Sequence, residues 1–352
     1  MRSVISASGS AVQQQIAAGL AEPYQRKLAR SILATDSVEA IADSVTEIVS
    51  TQLGWNRFEC FLFEISVGAV VGVSLGETRC LIKYFGPDSN PSDVLSRVKF
   101  QGWLHDQGYP CPKVLVFPST SRKPLIAIEA YVDVGRRADG HAKLDRELMA
   151  VELARLVQLG KTYPHLDELP ENVLEEVSGS PWPKPHNVLF DFDATMDGAE
   201  WIDDIGRQYK SVLELSPEAK VAGHFDWGAK HCRIEAGEIS VIYDWDSVAR
   251  LLETKVVGSA AVNFTASWYV KGALRPSIEE LVSFVRGYEH ARAINFSRSE
   301  IELIVAAIRY GAGYGARCEY ANAMLNGSES TEYCEFLEYI NGVDLIETLS
   351  RH

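Results

Sequence analysis

Basic residues are scarce in this chain: 34 Lys and Arg stand against 48 Asp and Glu over 352 residues, a formal charge of −14. Polyanions such as nucleic acid need a basic surface, so this balance excludes broad attraction to phosphate backbones and suits a cationic small molecule. Long apolar runs are missing too. No stretch is long and apolar enough to span a bilayer, and the first residues lack a basic segment followed by an unbroken apolar core. The expectation is a cytoplasmic protein with neither a membrane nor a nucleic-acid partner. The six cysteines, at positions 60, 80, 111, 232, 318 and 334, include no CxxC pair and no zinc-like spacing, and read as reduced core thiols. No internal repeat or low-complexity segment is present.

What is there is enough apolar material, 46% of the residues, to bury two cores. The first fifty-odd residues read as helical, with Asp36 and Glu39 as a capping pair before Ile41, Val45, Ile48 and Val49 on one face. Short strands follow at Phe58–Ile65, Ala69–Leu75, Arg79–Phe85, Lys113–Phe117 and Leu125–Val132, with one helix, Ser92–Gln107, among them. A helix over Leu144–Leu159 comes next, then a proline-marked stretch over 161–220 that is the least legible. After Asp246 the pattern is nearly all helix, with capping boxes at Ser277/Glu280 and Ser297/Glu300 and an apolar stripe at Ile301, Ile304, Val305 and Ile308. These readings divide the chain into a helical extension (1–57), a strand-rich part (58–134) and a helical part (135–352).

The chemistry concentrates in His224–Asp246, HFDWGAKHCRIEAGEISVIYDWD. Ala236-Gly237-Glu238 lies between two short strand patterns and predicts a tight hairpin. Counting outward from the turn sets His231 opposite Asp244, while Asp226 sits in the loop entering the first strand. One hairpin thereby gathers Asp226, His231 and Asp244. Two carboxylates around one point suit phosphoryl transfer, in which one orients or deprotonates an acceptor hydroxyl and another holds the metal bridging the nucleotide phosphates. An ordinary surface hairpin flanked by solvated acids is the alternative.

The segment resembles the aminoglycoside phosphotransferase and choline kinase-like family, whose loop reads H-G-D-x-x-x-x-N and whose metal segment reads I-D-W-E. His224 and Asp226 match the first motif and Tyr243-Asp244-Trp245-Asp246 the second; Gly108-Tyr-Pro-Cys-Pro is similar to the family's G-x-P-V-P. The resemblance implies an α+β, two-lobed protein kinase-like fold, with a small, mostly antiparallel lobe and a larger helical lobe. It implies ATP and Mg²⁺ as cofactors, a small hydroxylated acceptor such as an aminoglycoside-like antibiotic or another metabolite, Asp226 as the catalytic aspartate and Asp244 as the metal ligand. Phe225 departs from the motif's glycine and His231 from its asparagine. Imidazole suits Mn²⁺ better than Mg²⁺, so three readings of His231 stand: a ligand of the second cation, a phosphate contact, or a histidine bonded to nearby backbone. Asp246 either assists the metal or caps the next helix, the second being favoured.

On the nucleotide side the resemblance implies that Lys83 lies over the phosphates, that Ser66 and Gly68 lie in the phosphate-covering loop, and that the backbone of Glu129 and Tyr131 meets adenine. The family's glutamate partner for the lysine is missing; its position holds Arg97, and Asp93 is one turn earlier. Trp182, Trp201, Asp203 and Asp204 are candidate walls of the acceptor site or plugs of the large lobe. These departures keep open an alternative, a catalytically impaired nucleotide- or ligand-binding module.

Overall fold

The computed structural model describes residues 7–121, 124–216, 218–267 and 273–351. They form two units, each built around its own core. The first comprises the described residues within Met1–His105, Pro112–Asp133 and His186–Leu189, and the second those within Asp106–Cys111, Val134–Pro185 and Phe190–His352.

The first unit opens with three helices, α1 (Ala7–Gly19), α2 (Pro23–Leu33) and α3 (Val38–Ile48). Strands β1 (Glu59–Ile65), β2 (Ala69–Leu75) and β3 (Thr78–Tyr84), then α4 (Pro91–Asp106), β4 (Val114–Val116) and β5 (Ile126–Ala130), complete it. The sheet runs β1-β2-β3-β5-β4, antiparallel throughout. Alternation along β2 and β3 sends Val71, Val73, Cys80 and Ile82 to one face, where they meet Val12 and Ile16 of α1, Leu20 just after it, and Ile41, Val45 and Ile48 of α3 in one buried cluster. The N-terminal helices are therefore part of this core. The cap of α3 differs from the expected one: Ser37 Oγ, not Asp36, accepts the Ala40 N–H at 3.2 Å, and Asp36 pairs with Arg30. Both acids and hydroxyls cap helices, so adjacent candidates are not separable by residue type.

The second unit contains β6 (Arg136–Arg137), α5 (Lys143–Gly160), α6 (Glu200–Glu214), β7 (Lys220–His224), β8 (Cys232–Glu235), β9 (Glu238–Ile242) and β10 (Val248–Leu252). Helices α7 (Glu253–Asn263), α8 (Ile278–Arg292), α9 (Arg298–Asn326), α10 (Glu332–Asn341) and α11 (Leu345–Ser350) follow. Both expected capping boxes are present at the starts of α8 and α9. Ile301, Ile304, Val305 and Ile308 are buried. Gly258 lets α7 and α9 touch closely, because a Cβ there would lie 2.5 Å from that of Ala307. Among the described residues no helix is long and apolar enough to cross a membrane. All six cysteines are free, and Cys80, Cys111, Cys232 and Cys318 are buried.

One expectation fails after Asp246. Val248–Leu252 is not helix but strand β10, paired antiparallel with β7 in the register Val248↔His224 to Leu252↔Lys220. Its run of four apolar residues in five fits a buried strand and a buried helix turn equally. Asp246 consequently does not cap the next helix; it lies in a single turn, Trp245–Ser247, and the residue before α7 is Leu252.

The stretch over 161–199 is largely irregular and is anchored by Trp182, which is buried against Tyr310 of α9. Trp182 Nε1 donates to Asp203 Oδ1 at 2.6 Å, and Arg317 Nε donates to the same oxygen at 3.1 Å. Arg317 is 1% exposed and also donates to Thr195 Oγ1 and to the carbonyls of Phe192 and Thr195. Asp203, expected as an acceptor wall, thus neutralises a buried guanidinium in the core. Asp204 pairs with Arg207 on the surface and Trp201 is 37% exposed on α6, so neither has contacts that recommend that role. Asp203→Ala leaves Arg317 buried with one carboxylate fewer and is expected to lower unfolding free energy by about 3–5 kcal/mol in denaturant titrations; a loss below about 1 kcal/mol contradicts the clamp.

Candidate active site

Strand β7 ends at His224, and the ring of that residue determines where two acidic loops lie. His224 is fully buried between Trp227 and Trp245, with ring centroids 5.6 and 5.5 Å away and both pairs edge-on. Nε2 lies 3.1 Å from the Tyr243 carbonyl oxygen and Nδ1 3.1 Å from Ser247 Oγ. Burial first, and then the neighbouring His231, push its pKa down to about 4, so the ring is neutral near pH 7. A carbonyl only accepts, so Nε2 carries the proton and Nδ1 is an acceptor facing the Ser247 hydroxyl, whose one proton is shared between Nδ1 and the Asp244 carbonyl, 3.0 Å away. These contacts tie β7 to the turn after β9. A further bond, Phe225 N–H to Ser247 O at 3.0 Å, closes the tie.

Asp226 follows in a loop held by its own backbone: the Ala229 N–H donates to Phe264 O at 2.9 Å and the Lys230 N–H to Ala266 O at 3.0 Å. The chain then enters the hairpin β8–β9, whose turn residues Ala236 and Gly237 both have positive φ (52° and 84°), as a two-residue I′ turn requires. Register pairs Cys232 with Ile242, so His231 lies opposite Tyr243, one residue from the expected Asp244. The Tyr243 N–H donates to His231 O at 3.0 Å. Asp244 turns into the left-handed region (φ 73°), a conformation that costs free energy but that Asp tolerates better than most residues. Trp245, whose indole N–H donates to Ile242 O at 2.7 Å, holds the turn from below.

Asp226, His231 and Asp244 accordingly meet. His231 Nε2 is 3.2 Å from Asp226 Oδ2 and 3.5 Å from Asp244 Oδ2, and one ligand atom from each residue lies within 4.8 Å of the others. Two carboxylate oxygens and one imidazole nitrogen at such spacing fit a single divalent ion, and this mixed donor set favours Mn²⁺ relative to an all-oxygen site. His231 makes contacts with both acids, beyond those of a histidine bonded only to backbone.

Lys230, which in sequence reads as a neutraliser of transferred phosphate or, more commonly, as a solvated loop lysine, is not solvated here. Its Nζ lies 2.7 Å from Asp226 Oδ2, with only 18% of the side chain exposed. Desolvation pulls the ammonium pKa down, but Asp226 raises it further, so Lys230 stays charged. Desolvation pushes Asp226 up, yet Lys230 and His231 hold its carboxyl well below the usual range. Tyr333, a missed neighbour, is electrostatically coupled to Lys230 and Asp226. Its ring lies 4.0 Å beneath the Arg275 guanidinium, which donates to Asn263 Oδ1 at 2.9 Å. No spacing signal links position 333 to position 226.

The nucleotide-side candidates belong to the first unit. Lys83 is 8% exposed on β3, paired in register with Val70 and Ala127. Ser66 and Gly68 form a tight turn in which the Ser66 N–H donates to Gly68 O at 2.9 Å, and a Cβ on Gly68 would meet Tyr84 O at 2.8 Å. Glu129 is buried, and its carboxylate accepts from Gln101 Nε2 at 2.8 Å. The Tyr131 N–H donates to Arg79 O at 3.0 Å, and the Tyr131 ring packs with Phe61 around the Arg79 guanidinium. Arg97 lies on α4.

No family model and no curated protein matches the chain. Solved structures do. An ethanolamine kinase of Plasmodium vivax is 15% identical, with a TM-score of 0.54 over 89% of this chain and 88% of that one. An amicoumacin kinase in complex with AMP-PNP and Ca²⁺ gives 11% identity and a TM-score of 0.63 over 87% and 93%. A choline kinase of Streptococcus pneumoniae gives 12% and 0.54 over 88% and 99%. These likenesses establish the fold: a small antiparallel sheet with a larger helical part, of the protein kinase-like kind expected from the sequence.

Stability should report the neutral state of His224. An unfolded histidine titrates near about pH 6.5 and binds its proton before the buried ring does, so protonation favours unfolding. The stability that neutral His224 contributes is complete above about pH 6.5 and is lost as pH falls toward the folded value of about 4, a span worth about 3 kcal/mol. In urea titrations across this window His224→Phe is expected to flatten the slope. A variant as pH-dependent as the parent contradicts the assignment.

Proposed function

We propose that the chain is an ATP-dependent O-phosphotransferase whose acceptor is a small hydroxylated molecule, a cationic amino alcohol or aminoglycoside-like compound fitting the formal charge of −14 best. The observation that supports it is the convergence of Asp226, His231, Asp244 and Lys230 on one point, in a fold shared with small-molecule kinases.

Asp226 Oδ2 takes both the Lys230 and the His231 contact, and Oδ1 has no donor among the described residues. Oδ1 is therefore the oxygen that orients the acceptor hydroxyl. Held well below the usual carboxylate range, Asp226 is a weak base; it positions the hydroxyl and takes its proton late, as the new bond from the acceptor oxygen to phosphorus forms and the bond to the departing ADP oxygen breaks. Lys230 stabilises negative charge on the transferred group. Asp244 and His231 would hold a divalent ion, which when bound neutralises charge on the nucleotide phosphates. In the first unit, Lys83, buried on β3, and the Ser66–Gly68 turn are the groups proposed to meet nucleotide phosphates.

A second reading, a binding module with impaired turnover, is favoured by the 2.7 Å ion pair that Lys230 makes with Asp226 and by Arg97 in place of an acid on α4. Nucleotide consumption across a panel of hydroxylated amines and sugars separates the two: a Mg²⁺- or Mn²⁺-dependent thermal shift with ATP, without turnover of any acceptor, supports the module.

For the enzyme, Asp226→Asn is expected to lower kcat by about 10²–10⁴-fold while ATP binding is kept; retained turnover refutes its role. His231→Asn should move the metal preference from Mn²⁺ toward Mg²⁺, measured as the ratio of kcat/KM with each ion. An unchanged ratio removes His231 from the metal site.

A further inference from the structure

A cavity of about 320 Å³ lies in the second unit at the far end of the β7–β10 ribbon. Lys220, the first residue of β7, and Leu252, the last of β10, face each other in register there, while His224 and Val248 pair at the other end. The lining reaches from that end to Arg250, opposite Ala222, while Asp226 lies beyond His224 at the other end. It is a different place in the molecule, with its own charges.

Most of those charges are already matched. Lys210 lies 2.8 Å from Glu176, Lys220 lies 2.6 Å from Glu171, and Arg250 pairs with Asp167 and Glu171. Among the cations Lys255, on α7, is the exception: among the described residues its ammonium makes no hydrogen bond or ion pair, and the Tyr310 ring lies 5.9 Å away. On the acidic side two carboxylates lack a close cation: Glu218, whose Oε2 accepts from Thr254 Oγ1 at 2.8 Å and whose buried Oε1 has no hydrogen-bond partner among the described residues, and Glu214, 4.0 Å from Lys210 and, at 65% exposed, the one open to a ligand. Burial, aided by Lys210 and Lys220, holds Lys255 below its ordinary pKa, and Glu176 and Glu214 act in the opposite sense. An anion docking on Lys255 reverses that cost, because it supplies the opposite charge the amine lacks.

The remaining carboxylates decide what kind of anion fits. Four glutamates line the cavity with four cations, so a multiply charged phosphate meets repulsion that a carboxylate carrying its own ammonium does not. The volume is at the small end of ligand sites and suits a compact solute. We propose that this cavity is a second ligand site that takes a small zwitterion of the amino-acid class, its carboxylate on Lys255 Nζ and its ammonium on Glu214.

The full chain is titrated by calorimetry with L-alanine, L-glutamate, L-arginine and γ-aminobutyrate, and with acetate, ethylamine and inorganic phosphate as controls. At least one of the four amino acids is expected to bind about tenfold more tightly than every control, and Lys255→Met to weaken that binding by about tenfold or more. Glu214→Gln should weaken it by about threefold, as removal of an exposed partner does. In the unaltered chain the same amino acid should protect Lys255 from reductive methylation, read by peptide mass spectrometry, which keeps the test independent of how the variants fold. Failure of all four to bind, phosphate binding more tightly than any of them, undiminished binding by folded Lys255→Met, or no protection of Lys255 overturns the proposal.

Discussion

The arrangement of the candidate active site depends on one buried, neutral imidazole. His224 precedes Asp226 by two residues in the chain, and its ring donates to the carbonyl of Tyr243, the residue before Asp244, and faces the Ser247 hydroxyl, which also reaches the Asp244 carbonyl. A buried polar group with both partners present is inexpensive, whereas one left unmade costs the full desolvation of that group. The two indoles on either side exclude water from the ring and fix its plane. Asp226 and Asp244 are thus brought to one place by bonds that neither of them makes. The positive φ at Asp244 persists on the same footing, since Trp245 and Ser247 restrain the turn from both sides.

On that frame the electrostatics follow. Two carboxylates aimed at one point repel unless a cation lies between or beside them. Lys230 supplies a fixed positive charge to Asp226, and His231 links the two acids. A divalent ion entering such a cluster finds an oxygen of Asp244 and a nitrogen of His231, with Asp226 already oriented by its lysine. The same ion pair distinguishes a carboxylate that orients a hydroxyl from one that strips its proton early.

Much of this was readable from residue types. The hairpin was legible because Ala236-Gly237 meets the demand of a two-residue turn for positive φ, and a hairpin's length fixes which ends meet; the prediction that Asp226, His231 and Asp244 share one point needs nothing more. The first sheet was legible for a similar reason, as its strands alternate and are short, with Gly and Pro between them. Lys230 was not, because a lysine in a loop has no periodicity to reveal its partner, and the turn that swings it onto Asp226 is set by backbone bonds to Phe264 and Ala266, far along the chain. Strand β10 was missed because four apolar residues in five carry no period. Asp203 and Tyr333 derive their roles from residues more than a hundred positions away, and such pairings leave no local trace.

The most direct test of the account is electron paramagnetic resonance of Mn²⁺ bound to the full chain with a non-hydrolysable ATP analogue. The account predicts one bound ion whose spin-echo modulation contains an imidazole nitrogen coupling, with the coupling lost in His231→Asn and the bound ion lost or weakened in Asp244→Ala. A Mn²⁺ signal that shows no nitrogen coupling and is unchanged by Asp244→Ala would contradict the claim that these side chains converge on a cation.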